Sequence, residues 1–250
     1  MSLLKNIFRV FWKIWFYAWV ILTIVAISPV LFIIISNEKN YKTYYKIARF
    51  WGKTILFVMG FPTKIDYDQK TDPNKSYLFI ANHTSLVDIM LVLVAHKNPT
   101  VFVGKKEILK YPVFGYVFRK TSIWVDRSSP KSRKDVYDRA QHKLNQGLSI
   151  VLFPEGGVPD ENVVLDRFKN GAFRLAIEHQ IPIVPMTFYN VKKHFPWPLF
   201  SGWPGKLRVK VHPFIETKGL NLEDREKIKQ EAHSLIYNEL ISDTKKLTKI

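Results

Sequence analysis

Short apolar runs alternate with longer amphipathic stretches along the chain after residue 60. The runs have the length of buried strands, and the stretches between several of them have the length and periodicity of helices. This alternation predicts an α/β fold with a mostly parallel sheet flanked by helices. The predicted strands are Tyr77–Ala81, Thr100–Val103, Ile123–Val125, Ser149–Phe153, Ile183–Phe188 and Leu207–Val211, and the predicted helices lie near Leu86–Ala95, Ser132–Asn145, Asn170–His179 and Leu222–Ile241.

The first fifty residues follow a different pattern, because no residue from Ile14 to Ile35 is charged. An apolar helix of about 20 residues is roughly 30 Å long, which matches the hydrocarbon thickness of a membrane. Tryptophan and tyrosine residues crowd one end of this run, as they do at membrane–water boundaries. The pattern predicts an N-terminal membrane-embedded helical segment over residues 1–56, followed by an α/β domain over residues 57–250.

A proline and the flanking charges bear on how this segment lies in the membrane. Pro29 interrupts the run, and basic residues flank it on both sides, which favours the cytoplasmic face for both flanks. We therefore expect two helices, broken near Pro29 to Lys39, that dip into one leaflet at the cytoplasmic face of the inner or cell membrane. A single span and a signal peptide cleaved near Ser28 are the alternatives.

Composition limits the chemistry that the chain can perform. None of its 250 residues is a cysteine, which excludes disulfides, thiolate nucleophiles and cysteine-ligated metals. The 38 Lys and Arg residues outnumber the 21 Asp and Glu residues, so the net charge is +17. This dispersed excess predicts attraction to a polyanion, namely an anionic membrane lipid, a phosphorylated substrate or a nucleic acid. The histidines outside residues 82–88 lack metal-ligand spacing, so we predict no metal site.

The segment that follows the first predicted core strand, NHTSLVD at residues 82–88, has two interpretations. Ser85 and Asp88 have the spacing of a capping box, in which Asp88 closes the first helical turn and His83 is an ordinary turn residue. Alternatively, Asp88 points back from that turn, holds the Nδ1–H of His83 and leaves Nε2 free as a base. Spacing alone favours the first interpretation, because such boxes are common.

Three further predicted strands end in loops that carry charged residues or glycines. The loop FPEGG at residues 153–157 has two glycines, and its backbone can therefore approach an anion closely. In an α/β sheet, functional side chains gather at the carboxyl ends of the strands, so we expect these loops to surround one site. The residues concerned are Lys105, Lys106, Asp126, Arg127, Glu155, Gly156 and Gly157.

In order along the chain, NHTSLVD, GKKEILKYPVFG with IWVDR, FPEGG and IVPM resemble the four motif blocks of the glycerophospholipid acyltransferases. The resemblance is greatest to the 1-acylglycerol-3-phosphate (lysophosphatidic acid) acyltransferases and extends from about Lys53 to about Phe188. It implies that His83 is the catalytic base and Asp88 its orienting partner. It also implies a lysophospholipid acceptor, acyl-CoA or acyl carrier protein as the acyl donor, and no metal or other cofactor.

The resemblance further implies an acyl pocket near the IVPM motif and a set of acceptor-binding residues, Lys105, Arg127, Glu155 and Gly156. One departure concerns this set, because the third block of the family continues with threonine and arginine where this chain has Gly157 and Val158. The fork of an arginine side chain matches phosphate oxygens. Either the acceptor carries a different headgroup, or another cation replaces the arginine; the candidates are Lys105, Lys106, Arg127 and Lys169.

Two other functions fit parts of the sequence. A lipid esterase or thioesterase would use water as the acceptor, with Ser85 as a candidate nucleophile, although no G-x-S-x-G elbow is present. A non-enzymatic, membrane-attached nucleic-acid binder would use the positive charge, but no reader motif accompanies the basic residues. We therefore expect no nucleic-acid partner.

One aromatic loop lies outside these motifs. Residues Phe195–Trp203 read FPWPLFSGW, with two prolines and two tryptophans. Such a loop either makes a second membrane contact through Trp197 and Trp203 or packs over the core.

Overall fold

The structure, a computed structural model, describes residues 2–247. Seven strands form one sheet in the order β1-β7-β6-β2-β5-β3-β4. Every neighbouring pair is parallel except β6 and β7, so the predicted mostly parallel sheet is confirmed. The strands are β1 (Thr63–Tyr67), β2 (Leu78–Ala81), β3 (Thr100–Lys105), β4 (Ile123–Val125), β5 (Ser149–Leu152), β6 (Ile183–Phe188) and β7 (Leu207–Val211).

Helices flank this sheet and precede it, as predicted for an α/β fold. They are α1 (Ser2–Ile35), α2 (Tyr41–Val58), α3 (Val87–Ala95), α4 (Phe114–Thr121), α5 (Pro130–Asn145), α6 (Asn170–Glu178), α7 (Val191–His194) and α8 (Arg225–Leu247). Three short 3-10 segments, Glu38–Asn40, Lys106–Lys110 and Leu222–Asp224, lie between them.

The six predicted strands are all present, but β1 was not predicted. Its residues, TKIDY, have only Ile65 half-buried and the other four exposed. Such a strand lacks the apolar run that marks a core strand, and it lies at the edge of the sheet beside β7. Short helices α4 and α7 were also not predicted.

Strand β2 lies at the centre of the sheet and is followed by the turn that contains His83 and Asp88. All four of its side chains are buried, and they alternate between the two faces. Leu78 and Ile80 pack with residues of α5, α6 and α8, whereas Phe79 and Ala81 pack with residues of α1, α2 and α3. Burying a large apolar side chain contributes about 1.5–3 kcal/mol, so β2 gives the loop after it a rigid starting point.

The two expected N-terminal helices are present, and the chain turns between them after Ile35. This turn lies within the expected region, Pro29 to Lys39, although Pro29 itself lies inside α1 and does not end the helix. Proline lacks the N–H that would bond the Val25 carbonyl, but the hydroxyl of Ser28 donates to that carbonyl at 2.8 Å. A neighbouring hydroxyl that satisfies the freed carbonyl lets a helix continue through proline.

Within residues 2–247, α1 is the single helix that is long and apolar enough to cross a membrane. One side of it packs on the domain through Trp12 and Phe16, both buried. Helix α2 then packs closely on α3, since a Cβ at Gly52 would lie 3.3 Å from the Leu93 side chain. The N-terminal helices are therefore attached to the α/β core on one side.

Candidate active site

His83 and Asp88 meet in the turn between β2 and α3. The Nδ1 atom of His83 lies 2.9 Å from Oδ2 of Asp88, a hydrogen-bonding distance. The Asp88 side chain is fully buried, whereas the His83 side chain is 19% exposed. The carboxylate therefore lies behind the imidazole, and the imidazole lies between the carboxylate and solvent.

The same carboxylate also holds the turn. Oδ2 of Asp88 accepts hydrogen bonds from the backbone N–H groups of Thr84 at 2.5 Å and Ser85 at 2.8 Å. The Ser85 hydroxyl accepts from the Val87 N–H at 3.2 Å, and not from Asp88 as a regular capping box requires. One of the two hydrogen bonds of a capping box is thus present, the one from the Ser85 N–H to Asp88. Asp88 therefore caps the turn, as the first interpretation expects, and also bonds to His83, as the second expects. A buried carboxylate at a helix start is stable here because several N–H groups satisfy it.

The ring of His83 has a defined orientation. It stacks on Phe153 with a centroid distance of 4.1 Å and an angle of 14° between the planes. Since Nδ1 bonds to a carboxylate, the proton of the neutral ring is assigned to Nδ1 and the lone pair to Nε2. Among the side chains that the structure describes, none forms a hydrogen bond with Nε2. The arrangement can accept a proton at Nε2 while the carboxylate stabilises the resulting imidazolium.

Glu155 connects this turn to the next loop. Strands β2 and β5 are neighbours, so the loop after β5 lies beside the loop after β2. One oxygen of Glu155 accepts from the His83 N–H at 2.6 Å, and the other accepts from the Asp166 N–H at 2.8 Å. Burial raises the pKa of Glu155 to about 7, although these two N–H groups favour the carboxylate. Both oxygens of Glu155 are thus engaged with backbone, and one of them fixes His83 itself.

Two cationic side chains converge on Gly156. The guanidinium of Arg127 donates a hydrogen bond to the Gly156 carbonyl. Gly156 has a φ of +78°, and a Cβ at this position would lie 2.6 Å from Nζ of Lys169. The backbone of Lys169 is fixed as well, since its N–H donates to the Pro154 carbonyl at 2.8 Å. Within the described chain, the Lys169 ammonium has no ion pair, so it is available to an anion.

The remaining predicted site residues differ in whether they are free to bind a ligand. Lys106 forms an ion pair with Asp126, and this contact helps to lower the pKa of Asp126 to about 2. Lys106 is therefore already neutralised. Lys105 is exposed at the end of β3, in register with Val125 of β4, and it has no ion pair within residues 2–247. A Cβ at Gly157 would meet no atom within 4 Å, so the space beside this glycine is open.

A small, shallow cleft lies at the surface beside the turn that holds His83. It is lined by Lys13 and Tyr17 of α1, by Ser85 and Leu86 of the turn, and by residues 195–197 of the aromatic loop. Residues 183–186, the IVPM motif, lie in β6 next to β2 and are fully buried. The part of α1 in this cleft was not predicted, because nothing local in residues 13–17 indicates a position beside His83.

Ser85 does not bond to the imidazole in this structure. Its hydroxyl bonds to the backbone N–H of Val87, and within residues 2–247 no hydrogen bond joins it to His83. The described residues also include no group of three or more His, Asp and Glu side chains that could hold a metal ion. The described part of the site thus contains a His–Asp pair, a buried glutamate and nearby cations.

Fold and site together define an α/β protein with a histidine–aspartate pair at the carboxyl edge of its sheet. The sequence model of the Acyltransferase family matches residues 63–189, just over half of the chain, and these residues include the pair. The chain therefore belongs to the Acyltransferase family.

Curated relatives and one solved structure are similar over much of the chain. A 1-acyl-sn-glycerol-3-phosphate acyltransferase of Cocos nucifera is 30% identical over 78% of this chain and 63% of its own length. One of Limnanthes douglasii is 32% identical over 66% of this chain and 59% of its own. This chain therefore spans about three fifths of these plant relatives. The crystal structure of the 1-acyl-sn-glycerophosphate (LPA) acyltransferase PlsC of Thermotoga maritima superposes with a TM-score of 0.79, at 20% identity and 98% coverage of both chains, which shows the same fold.

Proposed function

We propose that this chain is a membrane-bound O-acyltransferase that moves a fatty acyl group from a thioester to the free hydroxyl of a lysophospholipid. The reaction that we favour converts 1-acylglycerol-3-phosphate to phosphatidic acid. The observation that carries the proposal is the bond between His83 and Asp88 at a partly exposed site, in a chain of the Acyltransferase family. The names of the plant relatives and of the structural neighbour support the choice of acceptor.

The first step is a proton transfer from the acceptor to His83. Nε2 removes the proton of the acceptor hydroxyl as the oxygen attacks the thioester carbonyl carbon. The imidazole becomes an imidazolium, and the buried carboxylate of Asp88 stabilises this charge through Nδ1–H. Stacking on Phe153 and the bond from the His83 N–H to Glu155 keep the ring in place.

The second step is collapse of the tetrahedral intermediate. The C–S bond breaks, the new ester forms, and the leaving thiolate takes the proton from Nε2, which restores the neutral imidazole. Because a thiolate is a good leaving group, the reaction requires no enzyme nucleophile. As the family resemblance implies, we propose no metal and no cofactor beyond acyl-CoA or acyl carrier protein as the co-substrate. Backbone N–H groups near Gly157 or a nearby cation would stabilise the oxyanion, an effect worth about 3 kcal/mol per donor.

The acceptor phosphate is bound, in this proposal, by Arg127 and Lys169 beside Gly156, with Lys105 at the same edge of the sheet. Lys169 replaces the arginine that is absent at Val158, because its ammonium already lies over the loop. Lys106 is a weaker candidate, since Asp126 neutralises it. Glu155 then acts by holding the His83 turn, because backbone N–H groups occupy both of its oxygens.

Membrane attachment through α1 completes the proposal. Leu22, Val25 and Ile33 of this helix are exposed, as expected for a lipid-facing surface. We place the site at the cytoplasmic face of the inner or cell membrane, where the dispersed positive charge favours anionic lipid. No nucleic-acid partner is proposed.

A panel assay tests the function. Purified protein in detergent is given lysophospholipids of different headgroup, with acyl-CoA or acyl carrier protein as the donor. We expect phosphatidic acid from lysophosphatidic acid, and much less product from lysophosphatidylcholine. Free fatty acid as the main product would identify a thioesterase or esterase. Tight DNA binding at physiological salt without any acyl transfer would identify the nucleic-acid binder.

A further inference from the structure

The aromatic loop, residues 195–203, is fixed against the amino-terminal half of α1. Arg9 donates a hydrogen bond to the Phe200 carbonyl at 3.0 Å. The ammonium of Lys13 donates to the Pro196 carbonyl at 2.6 Å and also to the Pro198 carbonyl. Three backbone carbonyls of the loop are thus held by two cations of one helix, and Lys13 is buried by this contact.

The loop also has a defined conformation of its own. Gly202 has a φ of +91°, and a Cβ at this position would lie 2.5 Å from the His194 carbonyl oxygen. The next residue, Trp203, donates its N–H to the same carbonyl at 3.0 Å. At the other end, Phe195 is buried with its ring 5.4 Å from that of Trp12. The side chains between these two ends are therefore presented in one arrangement.

Large apolar side chains form the outer surface of this loop. Trp197 is 53% exposed and Phe200 is 60% exposed, and Leu199 and Trp203 are nearly half exposed. The ring of Trp203 lies 4.6 Å from that of Phe8 in α1. Phe8 belongs to an exposed apolar stripe on one face of α1, whose members are Leu4, Phe8, Phe11 and Trp15. Loop and stripe thus form one continuous apolar surface, which we name the aromatic platform.

The charges around the aromatic platform identify what covers it. The sequence has no Asp or Glu in residues 1–37 or in residues 179–215, the two segments that meet there. Lys5, Arg9 and Lys206 belong to these segments, so the charge beside the platform is positive. Tryptophan and basic residues around an apolar surface are typical of the headgroup region of an anionic bilayer. The stripe also continues into the apolar run of α1. In the most apolar 18 residues of this helix, only 17% of the residues are buried.

We propose that the aromatic platform inserts into the headgroup region of an anionic bilayer and is a membrane contact separate from the apolar carboxyl-terminal half of α1. Residues 195–197 also form one wall of the cleft beside the His83 turn. Insertion of the platform therefore places the mouth of that cleft at the lipid boundary, where a lipid can reach it without crossing water. The proposal concerns the position of the protein on the membrane and does not depend on the reaction.

The absence of cysteine permits a direct measurement on the full chain. A single cysteine is introduced by Phe200→Cys and labelled with an environment-sensitive fluorophore. The matched control is Leu222→Cys, because the Leu222 side chain is also large, apolar and exposed (44%), but it lies in the 3-10 segment before α8, a segment that packs against α6. Both proteins are reconstituted into phosphatidylcholine vesicles with and without phosphatidylglycerol.

The label at position 200 is expected to shift its emission to the blue, to be quenched by brominated lipid, and to be at least about threefold less accessible to aqueous iodide than the label at position 222. Phosphatidylglycerol in the vesicles is expected to increase this difference in iodide accessibility between the two labels. Equal iodide quenching at the two positions would overturn the proposal. A blue shift that depends on protein concentration and is insensitive to brominated lipid would also overturn it, because a second copy of the chain would then cover the platform.

Discussion

The substitution Asp88→Asn tests the electrostatic part of the mechanism. The amide can still accept hydrogen bonds from the Thr84 and Ser85 N–H groups, so the turn is expected to keep its shape. The negative charge that faces the imidazolium is lost. With charge centres about 4 Å apart and an effective dielectric constant of about 20, their attraction is worth about 4 kcal/mol. Since about 1.4 kcal/mol changes a rate tenfold, kcat should fall by about three orders of magnitude.

The assay for this prediction is steady-state acyl transfer in detergent, with acyl-CoA and lysophosphatidic acid varied separately. We expect the fall in kcat with a nearly unchanged KM for the acceptor, because Asp88 is fully buried behind His83. Asp138→Asn is the matched control, since Asp138 is exposed on α5 and should tolerate the same chemical change. Circular dichroism checks the fold of both variants. A folded Asp88→Asn variant with kcat within tenfold of the parent would refute the proposed stabilisation of the imidazolium.

Three further predictions concern neighbouring residues. Ser85→Ala should change kcat only severalfold, because its hydroxyl bonds to the Val87 N–H; near-complete loss would indicate covalent catalysis instead. Lys169→Met should raise the KM for the acceptor about tenfold or more with little change in kcat. The control Lys227→Met, at an exposed lysine, should leave both KM and kcat unchanged. Equal effects of the two substitutions would show that Lys169 does not bind the phosphate. Burial raises the pKa of Glu155 from 4.5 to about 7, so the folded state binds this proton more tightly than the unfolded chain. The stabilisation of the folded state by this proton is complete below about pH 4.5 and is lost as the pH rises through about 7. The Tm of the parent should therefore fall over this interval relative to the Tm of Glu155→Gln. A difference in Tm that does not change with pH would contradict the raised pKa of Glu155.

The strands could be predicted from the sequence because buried parallel strands are continuous apolar runs, as in Ile183–Phe188. The edge strand β1 could not, since its stability comes from pairing with β7 and not from apolar side chains of its own. Local spacing gave the contact between His83 and Asp88 as one of two interpretations, because a turn of six residues can bring the two side chains together. Spacing alone favoured the other interpretation, and the resemblance to family motifs favoured the contact. Pro29 was misleading, because the bond from Ser28 to the Val25 carbonyl lets the helix continue.

Long-range contacts in the site could not be predicted in the same way. In the sequence, Glu155 is an acid in a glycine turn, and its resemblance to family motifs implies acceptor binding. The structure shows that its oxygens bond to the N–H groups of His83 and Asp166, which are 72 and 11 residues away. Likewise, Lys13 reaches the aromatic loop across 183 residues. Such contacts depend on the packing of whole elements, and no local pattern encodes them.

The rate of acyl transfer by His83→Ala, measured beside the parent protein, is the most direct measurement of whether Nε2 of His83 is the base that activates the acceptor. Both proteins are supplied with acyl-CoA and lysophosphatidic acid in detergent, and phosphatidic acid and free thiol are quantified together. We expect the parent to form the two products in equal amounts and the variant to lose about 10²–10⁴-fold in rate. Unchanged turnover by a folded His83→Ala variant would show that Nε2 of His83 is not the base.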